Sequence, residues 1–259
     1  MTTTMYAEER QQAIARLVTQ RGRMSVNQLA RQYDVTTETV RRDLSALERL
    51  GLVRRVHGGV VPPSSLSLIE SGLRERDQVN TETKERIARA ALDRLPPAGG
   101  TILLDAGSTT VRLATLLPPD RELTVVTHAV PIAARLAGLP HLDLRLLPGR
   151  VRPTTQAAVG ADTVEALGDL RVDVAFLGTN GITAQHGLTT PDADEAAVKR
   201  AIVGCGHLVV ALADASKFGI ETAVRFAGPD AVDVVITDDA VATTDRRALT
   251  EAGIEVVIA

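Results

Sequence analysis

Hydrophobic positions in the chain follow two successive periodicities. Up to residue 50 they recur as on helices. Ile14, Leu17 and Val18 fall at i, i+3 and i+4 in AEERQQAIARLVTQRG, which predicts a helix ending near Gly22. Ser25 and Gln28 have the spacing of a capping box and open a short second helix through Leu29 and Ala30. Thr36 caps a third, TETVRRDLSALERL, stopped by Gly51, with Val40, Leu44 and Leu47 as its inward stripe. Thr37, Glu38, Arg41, Arg42 and Ser45 then point away from the core. Two helices joined by a tight turn, the second offering arginines and small hydroxyls near its start, form a helix-turn-helix reader for the major groove of double-stranded DNA. The next segment, LVRRVHGGVV, sets β-branched residues around a Gly-Gly turn and carries Arg54, Arg55 and His57, as a winged hairpin would. His57 reads as a turn residue or phosphate contact.

The segment VVPPSSLSLIESG interrupts both periodicities and reads as a linker. After it a helix is predicted from about Thr81 to Leu95. Apolar strands follow at approximately 101–106, 123–127, 142–147, 172–178, 207–213, 232–237 and 254–258. Helical stretches fall between most of them, at about 109–117, 131–138, 160–169, 192–203 and 244–252. Runs such as VDVAFLG and HLVVALA are apolar on both faces, the pattern of a mostly parallel sheet covered by helices. The predicted organisation is a winged helix-turn-helix over 1–60, a linker over 61–73 and an α/β domain over 74–259.

Composition narrows the class. With 259 residues, 44% hydrophobic and 24% charged, the chain is long enough for sizeable cores and is neither disordered nor fibrous. One cysteine, Cys205, allows no internal disulfide and reads as a small buried residue. The polar, acidic start lacks the regions of a signal peptide, and no apolar run is long enough to cross a bilayer, so a cytoplasmic protein without membrane contact is expected. Charge divides sharply. Residues 1–60 hold ten Arg and no Lys against six acidic residues, net +4, while the rest carries −7. Only the first part is therefore expected to face a polyanion.

In open α/β sheets ligands sit beyond the carboxyl ends of the strands. Three such ends carry chemistry here. Asp105-Ala-Gly107-Ser108-Thr109-Thr110 offers amides and hydroxyls to a phosphate at a helix start. Gly178-Thr179-Asn180-Gly181 offers an amide side chain to a polyol, and Asp214-Ala-Ser216-Lys217 offers a carboxylate and a point charge. Glu195 and Lys199, four apart in DEAAVKR, read as a surface helix pair or as further pocket candidates. Histidines at 57, 128, 141, 186 and 207 show no metal-site spacing, so neither metal nor cofactor is expected.

The run Thr39-Val40-Arg41-Arg42-Asp43-Leu44, with Leu47-Glu48, Gly51-Leu52-Val53 and Arg55-Val56-His57-Gly58-Gly59, resembles the signature of the DeoR-type bacterial transcriptional regulators. The resemblance extends along nearly the whole chain. It implies a winged helix-turn-helix joined to a sensor of phosphorylated sugars similar in fold to sugar-phosphate isomerases, and operator contacts by Arg41 and Arg42. Asp43 is expected to orient one of those guanidiniums, because a free carboxylate would repel phosphate. ERQQAIARLV, LLPGRVRPTTQAAVG and FLGTNGI look most like the branch controlling fructose operons. That likeness implies a fructose phosphate met by Arg150 or Arg152. Two departures stand out: Leu147-Pro148-Gly149 replaces the usual Gly-Gly, and Thr127-His128 the common Thr-Asn. The expected function is that of a homo-oligomeric repressor released from operator DNA by a phosphorylated sugar. The alternatives are a sugar-phosphate-dependent activator and, further behind, an isomerase using Asp105, Asp214 or Glu195 as base. No catalytic residue is expected, since an attached DNA reader makes sensing the more economical role.

Overall fold

Helical stripes close the first core. α1 (Ala7–Arg21), a two-residue strand β1 (Met24–Ser25), α2 (Val26–Gln32) and α3 (Thr37–Arg49) are followed by β2 (Arg54–Val56) and β3 (Gly59–Val61). Ile14, Val18, Leu29, Val40, Leu44 and Leu47 meet in one cluster, as their spacing predicts. The computed structural model describes residues 6–21, 24–56, 59–61 and 72–259, which belong to two compact units, 1–66 and 67–259. The expected linker lies largely outside the described residues, as does His57.

Both helix starts are built as the sequence implies. Ser25 Oγ accepts from the Gln28 amide at 3.1 Å while Gln28 Oε1 accepts from the Ser25 amide at 2.8 Å. Thr36 Oγ1 accepts from the Thr39 amide at 3.2 Å, and Gly51, at φ +67°, lets the chain leave α3. β2 and β3 pair antiparallel as the wing, and β1 adds a third strand that periodicity could not show in two residues. A side chain at position 59 would overlap the Met24 carbonyl oxygen, so glycine is what lets β3 approach β1.

Asp43 departs from expectation. It faces inward, where its carboxylate accepts from Arg10 Nε at 2.6 Å and Gln11 Nε2 at 3.0 Å. Position 43 lies three residues after Val40 and four before Leu47, on the buried stripe, so its partner comes from α1 and not from Arg41 or Arg42.

The second unit comprises α4 (Leu73–Gln78), α5 (Thr81–Ala91), β4 (Thr101–Leu104), α6 (Ser108–Leu116), β5 (Leu123–Thr127), α7 (Val130–Leu136) and β6 (Leu142–Leu146). It continues through β7 (Arg150–Arg152), β8 (Ala157–Val159), α8 (Ala161–Gly168), β9 (Val172–Gly178), β10 (Gly181–Thr183) and β11 (Gly187–Thr190). It finishes with α9 (Ala193–Cys205), β12 (Gly206–Leu212), β13 (Val224–Ala227), β14 (Val234–Thr237), α10 (Thr243–Glu251) and β15 (Glu255–Ile258). The predicted strands form one seven-stranded sheet, β15-β14-β12-β9-β4-β5-β6, parallel throughout. Alternate strand residues feed two cores. Ile102, Leu104, Val174, Phe176 and Ile236 pack with α5, α6 and α7, while Leu103, Ala175, Leu177 and Val235 pack with α8, α9 and α10. Strand order reverses between β4 and β9, which makes their carboxyl ends the topological switch point. Short elements escaped periodicity: α4, the β7–β8 hairpin and the antiparallel sheet β10-β11-β13. Among the described residues no helix is long and apolar enough to cross a membrane.

The Arg10–Asp43 pair, almost wholly buried on both sides, generates a prediction. Asp43→Ala leaves Arg10 charged in the core and should cost about 3–5 kcal/mol. The double change Arg10→Met with Asp43→Leu should recover most of that loss. Both tyrosines, Tyr6 and Tyr33, lie in the first unit and the chain has no tryptophan, so tyrosine fluorescence during urea unfolding reads this unit selectively.

Candidate functional site

Parallel strands deliver their following residues to one edge of the sheet, and the switch point opens a cleft between them. The cleft is lined from β4 to α6 by Ala106–Thr110, beyond β9 by Gly178–Asn180, beyond β12 by Ala213, Asp214 and Lys217, and from the helices by Arg76, Lys84, Glu195 and Lys199. Gly107, Ser108, Thr109, Thr110, Asn180, Glu195, Asp214 and Lys217 are thus brought together as expected. Asp105 lies directly beneath. Gly181 and Arg152 do not line the cleft: Gly181 is held in β10 with Ile220 against it, and Arg152 lies on the β7–β8 hairpin.

The floor is an ionic cluster. Asp105 is fully buried; one carboxylate oxygen accepts from Lys199 Nζ and from the Gly178 amide at 2.9 Å, and the other lies 3.0 Å from His128 Nε2. Burial alone would raise this carboxyl's pKa, yet Lys199 and His128 outweigh it and hold the group well below the usual carboxylate range. His128 Nδ1 lies 2.8 Å from the Ala158 carbonyl, so the histidine links floor to hairpin. Lys199 is therefore no surface partner of Glu195: both are buried, because they ride the inner face of α9 beside Ala196 and Ile202.

Glu195 is held instead by Arg152, with 2.6 Å between Oε1 and Nη1, and Arg152 also reaches Asp192 at 3.1 Å. The expectation that Arg152 meets a phosphate directly is met by a guanidinium already engaged with two carboxylates.

Over this floor stands the start of α6. Gly107 supplies no side-chain cap, so the amides and hydroxyls of Ser108 and Thr109 border the cleft, whereas Thr110 Oγ1 donates to the Gly107 carbonyl at 3.0 Å. The same cleft is lined by Lys217, at the end of a short 3-10 turn capped by Asp214, and by Lys84, whose Nζ donates to the carbonyls of Arg76 and Val79. Asp214 also accepts from Asn80 Nδ2 at 3.2 Å. Burial pushes the Lys84 ammonium down to about 8; Asp214 opposes the fall, and Lys217, Arg112 and Arg76 deepen it. Cations gathered at an uncapped helix start favour an anion there, and Asp214, Glu195 and Asn180 add polar groups to the same cleft. Lys84, Arg76 and His128 were missed by the strand-end reading. Lys84 had a visible signal, since it shares a stripe with Ile87, Ala88 and Ala91.

In the first unit Arg41 and Arg42 are exposed on α3, and Arg41 pairs loosely with Glu38 at 3.4 Å. Thr37 and Thr39 are half-buried at the helix start. Ser45 is committed within the protein, donating to the Arg41 carbonyl and accepting from Arg55 Nη1, both at 2.9 Å. The Arg55 amide donates to Glu48 at 2.8 Å, so the wing is tied to α3; Arg54 lies on β2. Outward arginines on a capped helix beside a wing define a DNA-reading unit, which this chain joins to an α/β pocket unit.

The chain belongs to the DeoR family. Residues 10–65 match the DeoR-like helix-turn-helix domain and 79–239 the DeoR C terminal sensor domain. Similar proteins include the HTH-type transcriptional regulator GlpR of Haloferax volcanii, 35% identical over 98% of both chains. The uncharacterized HTH-type transcriptional regulator FruR of Bacillus subtilis is 35% identical over 95% of this chain and 94% of its own. The glycerol-3-phosphate regulon repressor of Escherichia coli is 32% identical over 90% and 92%. These relatives are regulators, and the chain is one too rather than an enzyme. A likeness to ribose 5-phosphate isomerase A of Methanocaldococcus jannaschii, TM-score 0.40 at 17% identity over 54% of this chain and 55% of that one, concerns the fold alone.

The depressed Lys84 yields a pH prediction. Its folded pKa, about 8, lies below the ordinary 10.5, so between those values the unfolded chain holds more protons and stability rises with pH; the penalty is full below 8. Relative to Lys84→Met, the parent should gain about 3 kcal/mol between pH 8 and 10.5. Urea unfolding of both proteins across that range measures it, and parallel curves would contradict the assignment.

Proposed function

We propose that the protein is a repressor of a sugar catabolic operon, released from operator DNA when a phosphorylated sugar occupies the switch-point cleft. One observation carries the reading: the uncapped start of α6 shares one cleft with Lys84, Lys217 and Arg76, and with the polar side chains of Asn180, Asp214 and Glu195. A phosphate sits at Ser108 and Thr109, and the polyol extends toward Asn180, Asp214 and Glu195. The repressor sign follows the relative named as a regulon repressor. Two copies act together, because a two-fold operator needs two readers. The sugar is a fructose phosphate in this reading, drawn from the fructose-branch likeness of LLPGRVRPTTQAAVG and FLGTNGI.

A thermal-shift panel of fructose phosphates, glycerol 3-phosphate, unphosphorylated fructose and inorganic phosphate tests the ligand class. A phosphorylated polyol should raise the melting temperature where fructose does not; a shift with none of the phosphates would sink the proposal, and a shift with glycerol 3-phosphate alone would replace fructose.

Operator DNA selected from a random pool permits two further measurements. Arg41→Ala and Arg42→Ala should each weaken binding, by about 1–3 kcal/mol for a lost base contact or with a salt slope lower by about one for a lost phosphate contact. Thr109→Val and Lys217→Ala should keep operator affinity yet stay on DNA at effector concentrations that release the parent, since weaker effector binding weakens release by linkage. Release of both at the parent's concentration would place the phosphate elsewhere.

A further inference from the structure

Two edges bound the seven-stranded sheet, and they differ. β15 opens with Glu255, which accepts from Arg94. β6 at the other end pairs, among the described residues, with β5 alone. Its outer row of backbone amides and carbonyls lacks a ladder partner there, as on any sheet edge.

The sequence of β6 is Leu142-Asp143-Leu144-Arg145-Leu146. The leucines occupy one face, where Leu142 and Leu144 pack partly on the core and Leu146 is 55% exposed; Leu139, just before the strand, is 38% exposed. Asp143 and Arg145 share the other face, with side chains 64% and 61% exposed and only a 3.4 Å contact between them. Read from Leu144 outward, the strand is a palindrome in polarity and complementary in charge.

We propose that β6 is the seam of a homodimer, in which two copies pair antiparallel about a two-fold axis at Leu144 and continue one sheet into the other. An isologous contact sets residue i against j and j against i. With Leu144 opposite its own copy, Asp143 faces Arg145 and Arg145 faces Asp143, while Leu142 covers the exposed Leu146. Registers centred on Asp143 or Arg145 would set like charges face to face, which disfavours them. Edge charges ordinarily discourage strand addition, whereas here the two signs make the Leu144-centred pairing of two copies complementary in both of its charged pairs. Backbone pairing supplies the attraction, and the side chains select the partner.

The inference rests on the proposed function only in that two copies act together, and it is tested on the full chain without DNA or sugar. Sedimentation equilibrium should show a dimer. Asp143→Arg alone and Arg145→Asp alone each set like charges in both cross-strand pairs and should each raise the dimer dissociation constant about tenfold or more. Mixing the two variants makes every cross-strand pair opposite in sign, so the mixture should dimerise as tightly as the parent. Repair within one chain cannot produce that result, since each variant carries like charges at 143 and 145. In a Cys205→Ser background, Leu144→Cys should form an interchain disulfide on mild oxidation, because its α-carbon meets its own copy at about 5 Å, whereas Leu142→Cys should not. A monomeric parent, a dimer indifferent to both reversals, a mixture no tighter than either variant, or cross-linking at 142 but not at 144 would each overturn the proposal.

Discussion

A carboxylate kept ionised away from the protein surface is the constraint around which the pocket is organised. Asp105 ends β4 at the centre of the sheet and is wholly buried. An uncompensated charge there would cost several kcal/mol, so its partners are fixed by necessity. Lys199 comes from α9, His128 follows β5 and the Gly178 amide closes β9. Three strands and a helix are thereby registered against one group.

The outer features inherit their position from this cluster. Glu195 lies one turn before Lys199, so the lysine's anchorage also fixes the carboxylate that borders the cleft. Arg152 ties that carboxylate to the β7–β8 hairpin, and His128 reaches the same hairpin through the Ala158 carbonyl. The hairpin is therefore joined to the floor from both sides. Elsewhere along the cleft, Lys84 places two donors on backbone carbonyls of the α4–α5 segment, which ties that segment down while leaving positive charge at the cleft. Fixed charges of this kind meet an anion without reorganising.

Periodicity made the large elements legible because the central predicted strands are apolar on both faces, the edge strand β6 with Asp143 and Arg145 excepted, and each main helix carries a stripe. The Ser25 capping box, the Thr36 cap, the wing and the strand ends that flank the switch point followed from the same reading. What escaped were two- to six-residue pieces, β1, α4, β7, β8, β10, β11 and β13, too short for a period to show, and charges that sit on apolar stripes. Asp43 among Val40, Leu44 and Leu47, Lys84 among Ile87, Ala88 and Ala91, and Lys199 beside Ala196 and Ile202 share that signature. Each proved buried and partnered. Their partners, Arg10, the Arg76 and Val79 carbonyls, and Asp105, come from separate elements, and tertiary packing alone decides which residue arrives. Arg152 shows the converse: its cation was visible in the sequence, but the competing carboxylates of Asp192 and Glu195 were not.

The division of labour on α3 has an evolutionary consequence. The residues that hold the helix in place, Val40, Asp43, Leu44 and Leu47, and those that face outward, Arg41 and Arg42, occupy different sides of the same thirteen residues. Substitution on the outer side removes no buried contact and strands no buried charge, so it carries little stability penalty. Substitutions at 41 and 42 can therefore accumulate on an unchanged scaffold, whereas a change at Asp43 or Arg10 alone strands a buried charge.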